Sequence, residues 1–143
     1  MDREQLQRLA KLRLKDAQAL LGRKRWSAAY YLSGYVIECS LKCCLLKHLG
    51  ESNAVFGTRD YLKRVAAECW THDLVKLVEL AGLDTAFQLA RNANPTLGSY
   101  WGVTKMWKET SRYEEKTETE AKDLFAAVSH KPDGVFTWIQ SRW

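Results

Sequence analysis

Over residues 3 to 21 apolar side chains recur at positions 6, 9, 10, 14, 17, 20 and 21, with arginine and lysine between them. Steps of three and four place them on one face, which predicts an amphipathic helix. Gly22 is expected to close it as a left-handed C′ residue. A second helix is predicted over residues 25 to 49, ending at Gly50. Its seam, Ala29, Leu32, Val36, Cys39, Cys43 and Leu46, alternates the same two steps and suits packing in a bundle.

The stretch "GESNAVFGT" that follows is polar and glycine-flanked and reads as a loop, and "RDYLKRVAAECW" reads as a short helix. Thr71 is placed to cap "HDLVKLVELA", with Gly82 as its stop, and a further short helix fits residues 85 to 92. "NANPTLGSYWG" is expected to be irregular, because Pro95 pushes Asn94 out of helical geometry and Gly98 and Gly102 loosen the chain. "TKMWKETSRYEEKTETE" is polar with Trp107 and Tyr113 as its anchors. Beyond it, Ala121, Leu124, Phe125 and Val128 mark the core face of another helix, "HKPDG" a turn and "VFTWIQSRW" a final apolar turn or two. No strand alternation survives along the chain. The expected fold is all-α: an antiparallel up-and-down four-helix-type bundle with short additional helices, one domain over residues 1 to 143.

Composition narrows the setting. With 143 residues, 46% hydrophobic and 27% charged, the chain can bury one core. It holds no apolar run long enough for a bilayer, and its charged start is unlike a secretory signal, so a cytoplasmic protein without membrane contact is expected. Of the four cysteines, Cys39, Cys43 and Cys44 fall in one helical stretch, and reduced, buried thiols are expected. The net charge of +5 is concentrated in the first 25 residues, which hold eight basic and three acidic side chains. Such a basic first helix can meet phosphate, an anionic partner or only water.

Three groups of residues carry candidate chemistry. Glu38 and Lys42 lie one turn apart on the stripe that holds Tyr31 and Tyr35, as a surface ion pair or as the lining of a cleft that Gly34 opens to a close neighbour. His72 and Asp73 open a helix, where such a pair caps locally or supplies a catalytic histidine. Arg112 and Tyr113 follow Trp107, and arginine beside aromatic rings can hold a phosphate and stack a base, although the same spacing also suits core anchors. Cys39, Cys43, Cys69 and His72 can be drawn as a zinc set, but Cys-x3-Cys on a helix is not the tight knuckle zinc favours. No metal or other cofactor is expected.

Taken together, "SAAYYLSGYVIECSLK", "THDLVKLVEL", "WKETSRYE" and "AKDLFAAVSHKPDGVFTWIQ" resemble the HEPN family, the higher eukaryote and prokaryote nucleotide-binding domain, over residues 6 to 143. The most specific part is the order Tyr30, Leu32, Gly34, Tyr35, Glu38, Leu41, Lys42. The resemblance implies a helical bundle that forms homodimers, often encoded beside a minimal nucleotidyltransferase in toxin-antitoxin or defence pairs. Many members are metal-independent ribonucleases with an arginine followed four to six residues later by histidine. Here Arg112 is followed by "YEEKTETE", and none of His48, His72 or His130 follows an arginine at that spacing.

Arg112 and Tyr113 are closer to the arginine-tyrosine pair of the non-nuclease, nucleotidyltransferase-associated type. The expectation is therefore a nucleotide- or RNA-binding module without its own catalysis: Arg112 holds phosphate, Tyr113 or Tyr35 stacks or hydrogen-bonds, and Glu38 and Lys42 line the cleft. Two alternatives stand beside it. One is a ribonuclease with a degenerate motif built on Arg112 and His72. The other is a structural module whose basic first helix docks an acidic protein.

Overall fold

A computed structural model describes residues 1–51 and 67–143. These residues form an all-α helical bundle of seven α-helices and one 3-10 turn, with no strand among the described residues. Helix α1 (Arg3–Gly22) begins in a capping box: the Asp2 carboxylate accepts from the Gln5 N–H, and the Asp2 N–H donates to the Gln5 side chain. Two donors that the helix leaves open are thereby satisfied, which contributes about 1 kcal/mol.

The chain reverses over residues 23–25, so α2 (Trp26–Glu51) runs back antiparallel against α1. This turn corrects the expected role of Gly22. Gly22 stays within α1, and Lys24 takes the left-handed conformation, at φ 57°. The Arg25 N–H reaches Leu20 O (2.9 Å) and the Lys24 N–H reaches Leu21 O (3.0 Å), the paired bonds of a Schellman motif whose left-handed position falls on lysine.

Helix α2 is the central element. Among the described residues it packs against α1 and against four later elements, so its expected seam is too narrow. Ala29, Val36, Cys39 and Cys43 are buried, Leu32 and Leu46 are only half-buried, and Ile37, Leu41 and Leu45 are buried on other faces. Ser33 and Ser40, also buried, return their hydroxyls to Ala29 O (2.7 Å) and Val36 O (2.6 Å).

Helix α3 (Leu74–Leu80) is capped by Asp73, whose carboxylate accepts from the Val75 and Lys76 N–H groups. Thr71, the expected cap, instead accepts from the Asp73 N–H at 3.1 Å. The helix thus starts two residues later than expected, and His72 is left outside it. Gly82, at φ +70°, ends α3 as expected. A Cβ there would also meet the His48 ring at 2.7 Å.

Helix α4 (Asp84–Ala93) matches the expectation, whereas the stretch expected to be irregular forms α5 (Pro95–Thr104). Pro95 is pre-set for the first helical position, and the Asn94 side chain accepts from the Leu97 N–H while donating to Asp133 (2.9 Å). The proline that excludes Asn94 from one helix therefore starts the next. After the 3-10 turn (Glu109–Tyr113) come α6 (Glu118–Ser129), with a Thr117–Glu120 capping box, and α7 (Val135–Gln140). Phe87 locks α4 to α5 and α7, with its ring 4.9 Å from Trp101 and 4.5 Å from Trp138. The expected loop over residues 50–58 and short helix over residues 59–70 lie largely outside the described residues.

Candidate functional site

Gly34 and Glu38 sit one turn apart on α2, and the first of them admits the site's largest side chain. The Trp107 indole lies so close over Gly34 that an added Cβ would meet three of its ring atoms, within 2.2 to 2.3 Å. Trp107 is 2% exposed and packs at a tilt against Tyr31 (centroids 5.9 Å), which in turn lies nearly parallel to Tyr35 (6.1 Å). Seated this way, Trp107 presents the following 3-10 turn to the rim of a cleft of about 290 Å³ lined by His72, Asp73, Lys105, Lys108, Glu109 and Thr110 beside Trp107 itself.

Glu38 is not an open lining residue but a buried carboxylate, 2% exposed. Its Oε1 accepts from Lys42 Nζ at 2.8 Å and faces His72 Nδ1 at 2.9 Å. His72 Nε2 faces Glu109 Oε2 at 3.2 Å, and Glu109 Oε1 lies 3.0 Å from Arg112 Nη1. Basic and acidic side chains alternate along this chain, Lys42, Glu38, His72, Glu109, Arg112, with Glu38 its buried member and Arg112 its outer end. Both contacts of His72 are hydrogen bonds only when both ring nitrogens carry protons.

At the outer end, the Arg112 guanidinium lies 4.9 Å from the Tyr113 ring centroid, and Tyr113 is 78% exposed. Desolvation works against the Arg112 charge, but Glu109 and Tyr113 beside it outweigh that and hold its pKa above the ordinary arginine value. Tyr113 is therefore no core anchor; it is a solvent-facing ring with a cation across it. At the inner end, burial and the adjacent Cys39 push the Tyr35 hydroxyl up to about 12, which keeps it neutral.

Of the residues singled out in the sequence, Glu38, Lys42, His72 and Arg112 come together in one chain. Tyr113 flanks its outer end and Tyr35 packs behind Tyr31. Glu109, which joins the two halves, went unnoticed; its signal was the spacing of three residues to Arg112 along a helical turn. Lys105 and Lys108 were also missed, since charged residues in a polar stretch carry no distinguishing pattern.

Among the described residues, three buried polar atoms have no hydrogen-bond partner: Glu38 Oε2, Trp107 Nε1 and Ser111 Oγ. All belong to this site or to the turn that forms it, and each costs about 1–3 kcal/mol of desolvation. Among the described residues no three His, Cys, Asp or Glu side chains are placed to share a metal ion, and the four cysteines are free thiols. No described helix is long and apolar enough to cross a membrane. The arrangement supplies half-exposed cations beside an exposed ring, with a histidine fixed from behind by a buried acid. No family model matches the chain, and neither a curated protein nor a solved structure matches it.

Proposed function

We propose that the protein is a HEPN-like module that binds a nucleotide or RNA through Arg112 and Tyr113, as a homodimer working with a nucleotidyltransferase or a defence partner. The observation that carries this reading is the ionic chain anchored on buried Glu38 that surfaces at Arg112 beside an exposed ring. A fold gains little from a buried, incompletely bonded carboxylate; a phosphate site gains more, because Glu38 sets the His72 ring before the ligand arrives, while Arg112 lies over the Tyr113 ring. The Tyr113 ring supplies the stacking plane that any base accepts.

The test is a gel of transfer and total RNA incubated in chelator with wild type and Arg112→Ala, run native and denaturing. Wild type is expected to shift intact RNA and Arg112→Ala to lose the shift. An equal shift by both proteins refutes the reading, as does failure of wild type to bind either RNA or a free nucleotide. The linkage of His72 to Arg112 through Glu109 favours one second reading, a metal-independent ribonuclease, in which Arg112 holds the scissile phosphate and His72 moves protons. RNA fragments from wild type, absent with Arg112→Ala, would establish that reading in place of the first.

A further inference from the structure

Glu109 holds a position that its neighbours would otherwise offer to a ligand. Its two carboxylate oxygens divide between two neighbours, Oε2 toward His72 Nε2 (3.2 Å), which donates when that nitrogen carries a proton, and Oε1 toward Arg112 Nη1 (3.0 Å). A tetrahedral phosphate presents pairs of oxygens to an arginine and a histidine in the same way. The two carboxylates on His72 differ in kind. Glu38 is buried on the central helix, whereas the Glu109 side chain is 26% exposed at the first position of a short 3-10 turn on the cleft wall.

We infer that the Glu109 carboxylate sits in the seat of a ligand phosphate between His72 and Arg112 and swings out when the ligand binds. This deepens the proposed nucleotide or RNA site and rests on it. The donors keep their places without Glu109: His72 is still tied through Nδ1 to Glu38, and Arg112 still lies over Tyr113. Lys105 and Lys108 line the same cleft and, among the described residues, join no ion pair, so the cleft gains net positive charge as Glu109 leaves. The ligand class is a phosphate mono- or diester with a base or sugar beside it, since the exposed Tyr113 ring adjoins the seat. Glu109 thereby sets a threshold: an anion that cannot engage both donors does not displace it.

Substitutions at Glu109 test this, because they move binding opposite to Arg112→Ala. A fluorescein-labelled single-stranded RNA, read by anisotropy, and AMP, read by calorimetry, are titrated into wild type, Glu109→Gln, Glu109→Asp, Arg112→Ala and the Glu109→Gln/Arg112→Ala double variant. Glu109→Gln is expected to bind about tenfold tighter than wild type, the loss of about one charge-assisted competitor. Glu109→Asp keeps the charge but shortens the reach by one methylene, and is also expected to bind tighter than wild type. The double variant is expected to bind no better than Arg112→Ala. Whichever probe shows the gain identifies the phosphate's source, RNA or free nucleotide.

A gain with Glu109→Gln but none with Glu109→Asp would be a charge effect only and overturns the seat. Unchanged or weaker binding by Glu109→Gln, with Arg112→Ala still defective, overturns the seat and leaves the binding module standing. Failure of wild type and Glu109→Gln alike to bind either probe overturns both.

Discussion

Replacing Gly34 by alanine sets two effects of opposite sign against each other. In an unobstructed helix interior the change is stabilising by about 0.5–1 kcal/mol, because glycine loses more backbone freedom on folding. At Gly34 the new methyl carbon would lie 2.2 Å from the Cδ1 and Cγ atoms of Trp107. Carbon atoms rest at about 3.5–4.0 Å, so the indole must retreat by more than about 1 Å. Trp107 is 2% exposed and backed by Tyr31, so the indole can retreat only by giving up its place in the core. Overpacking of this kind costs about 1–3 kcal/mol, and driving the ring out of the core about 3–5 kcal/mol. An overlap of more than about 1 Å puts the steric cost near the upper end of the overpacking range, so after the propensity gain is subtracted Gly34→Ala is expected to lose about 2 kcal/mol.

Gly102→Ala is the internal control. It lies in α5 with nothing within 4 Å of its added carbon, so it should gain about 0.5–1 kcal/mol. Urea unfolding followed by circular dichroism measures both, with an unchanged m-value required for the comparison. Adding Trp107→Leu to Gly34→Ala should cost less than the sum of the two single changes, as expected for residues in contact. A Gly34→Ala protein as stable as wild type, or more stable, refutes the close approach and with it the account of how the 3-10 turn is positioned.

Three further outcomes follow from the structure. Lys24→Gly removes the strain of a non-glycine residue at φ 57° and should stabilise the protein by about 1 kcal/mol in the same urea assay; a neutral or negative result refutes the Schellman turn. Burial raises the Cys44 thiol from 9.0 to about 12 and the Cys39 thiol from 9.0 to about 11, so folding favours their neutral forms. Stability is then fully present below about pH 9 and falls as pH rises toward about 12, by up to about 1.4 kcal/mol per pH unit for each thiol; Cys44→Ala should flatten that fall, and unchanged slopes would refute the assignment. Glu38→Ala strips Lys42 and His72 of their shared acceptor and should cost about 3–5 kcal/mol, with RNA binding weakened as well, as unfolding and anisotropy together would show; a loss below 1 kcal/mol would place Glu38 outside the ionic chain.

How far the sequence could be read depended on how local each signal was. The periods of α1 and α2 and the stop at Gly82 were legible because a helix face or a turn is encoded within a few residues. Where two local signals competed, the structure chose the stronger: Asp73, a carboxylate reaching two N–H groups, over Thr71, and Pro95 as a helix start over Pro95 as a breaker. The breadth of α2's burial was hidden, because it depends on neighbours distant in the chain. For the site, Glu38, Lys42, His72 and Arg112 could each be picked out by residue type, but Glu109 as their link could not. A joint between His72 and Arg112 exists only once α3 and the 3-10 turn are brought together.

The buried carboxylate of Glu38 also separates what selection for folding would favour from what the chain contains. Replacing a buried ionic group with apolar side chains of similar volume is often neutral or stabilising by about 1–4 kcal/mol. Methionine at 38 and 42 would extend the apolar core of α2 toward the cleft. A lineage drifting under a demand for thermal robustness alone would move in that direction and would shed the site without losing the bundle. Glu38 is thus a natural reporter of trade-off: variants of this protein evolved for heat tolerance alone should lose the acid at 38 early, and those selected to keep the ionic chain should gain their robustness elsewhere, at positions such as Lys24 and Gly102 that lie apart from it.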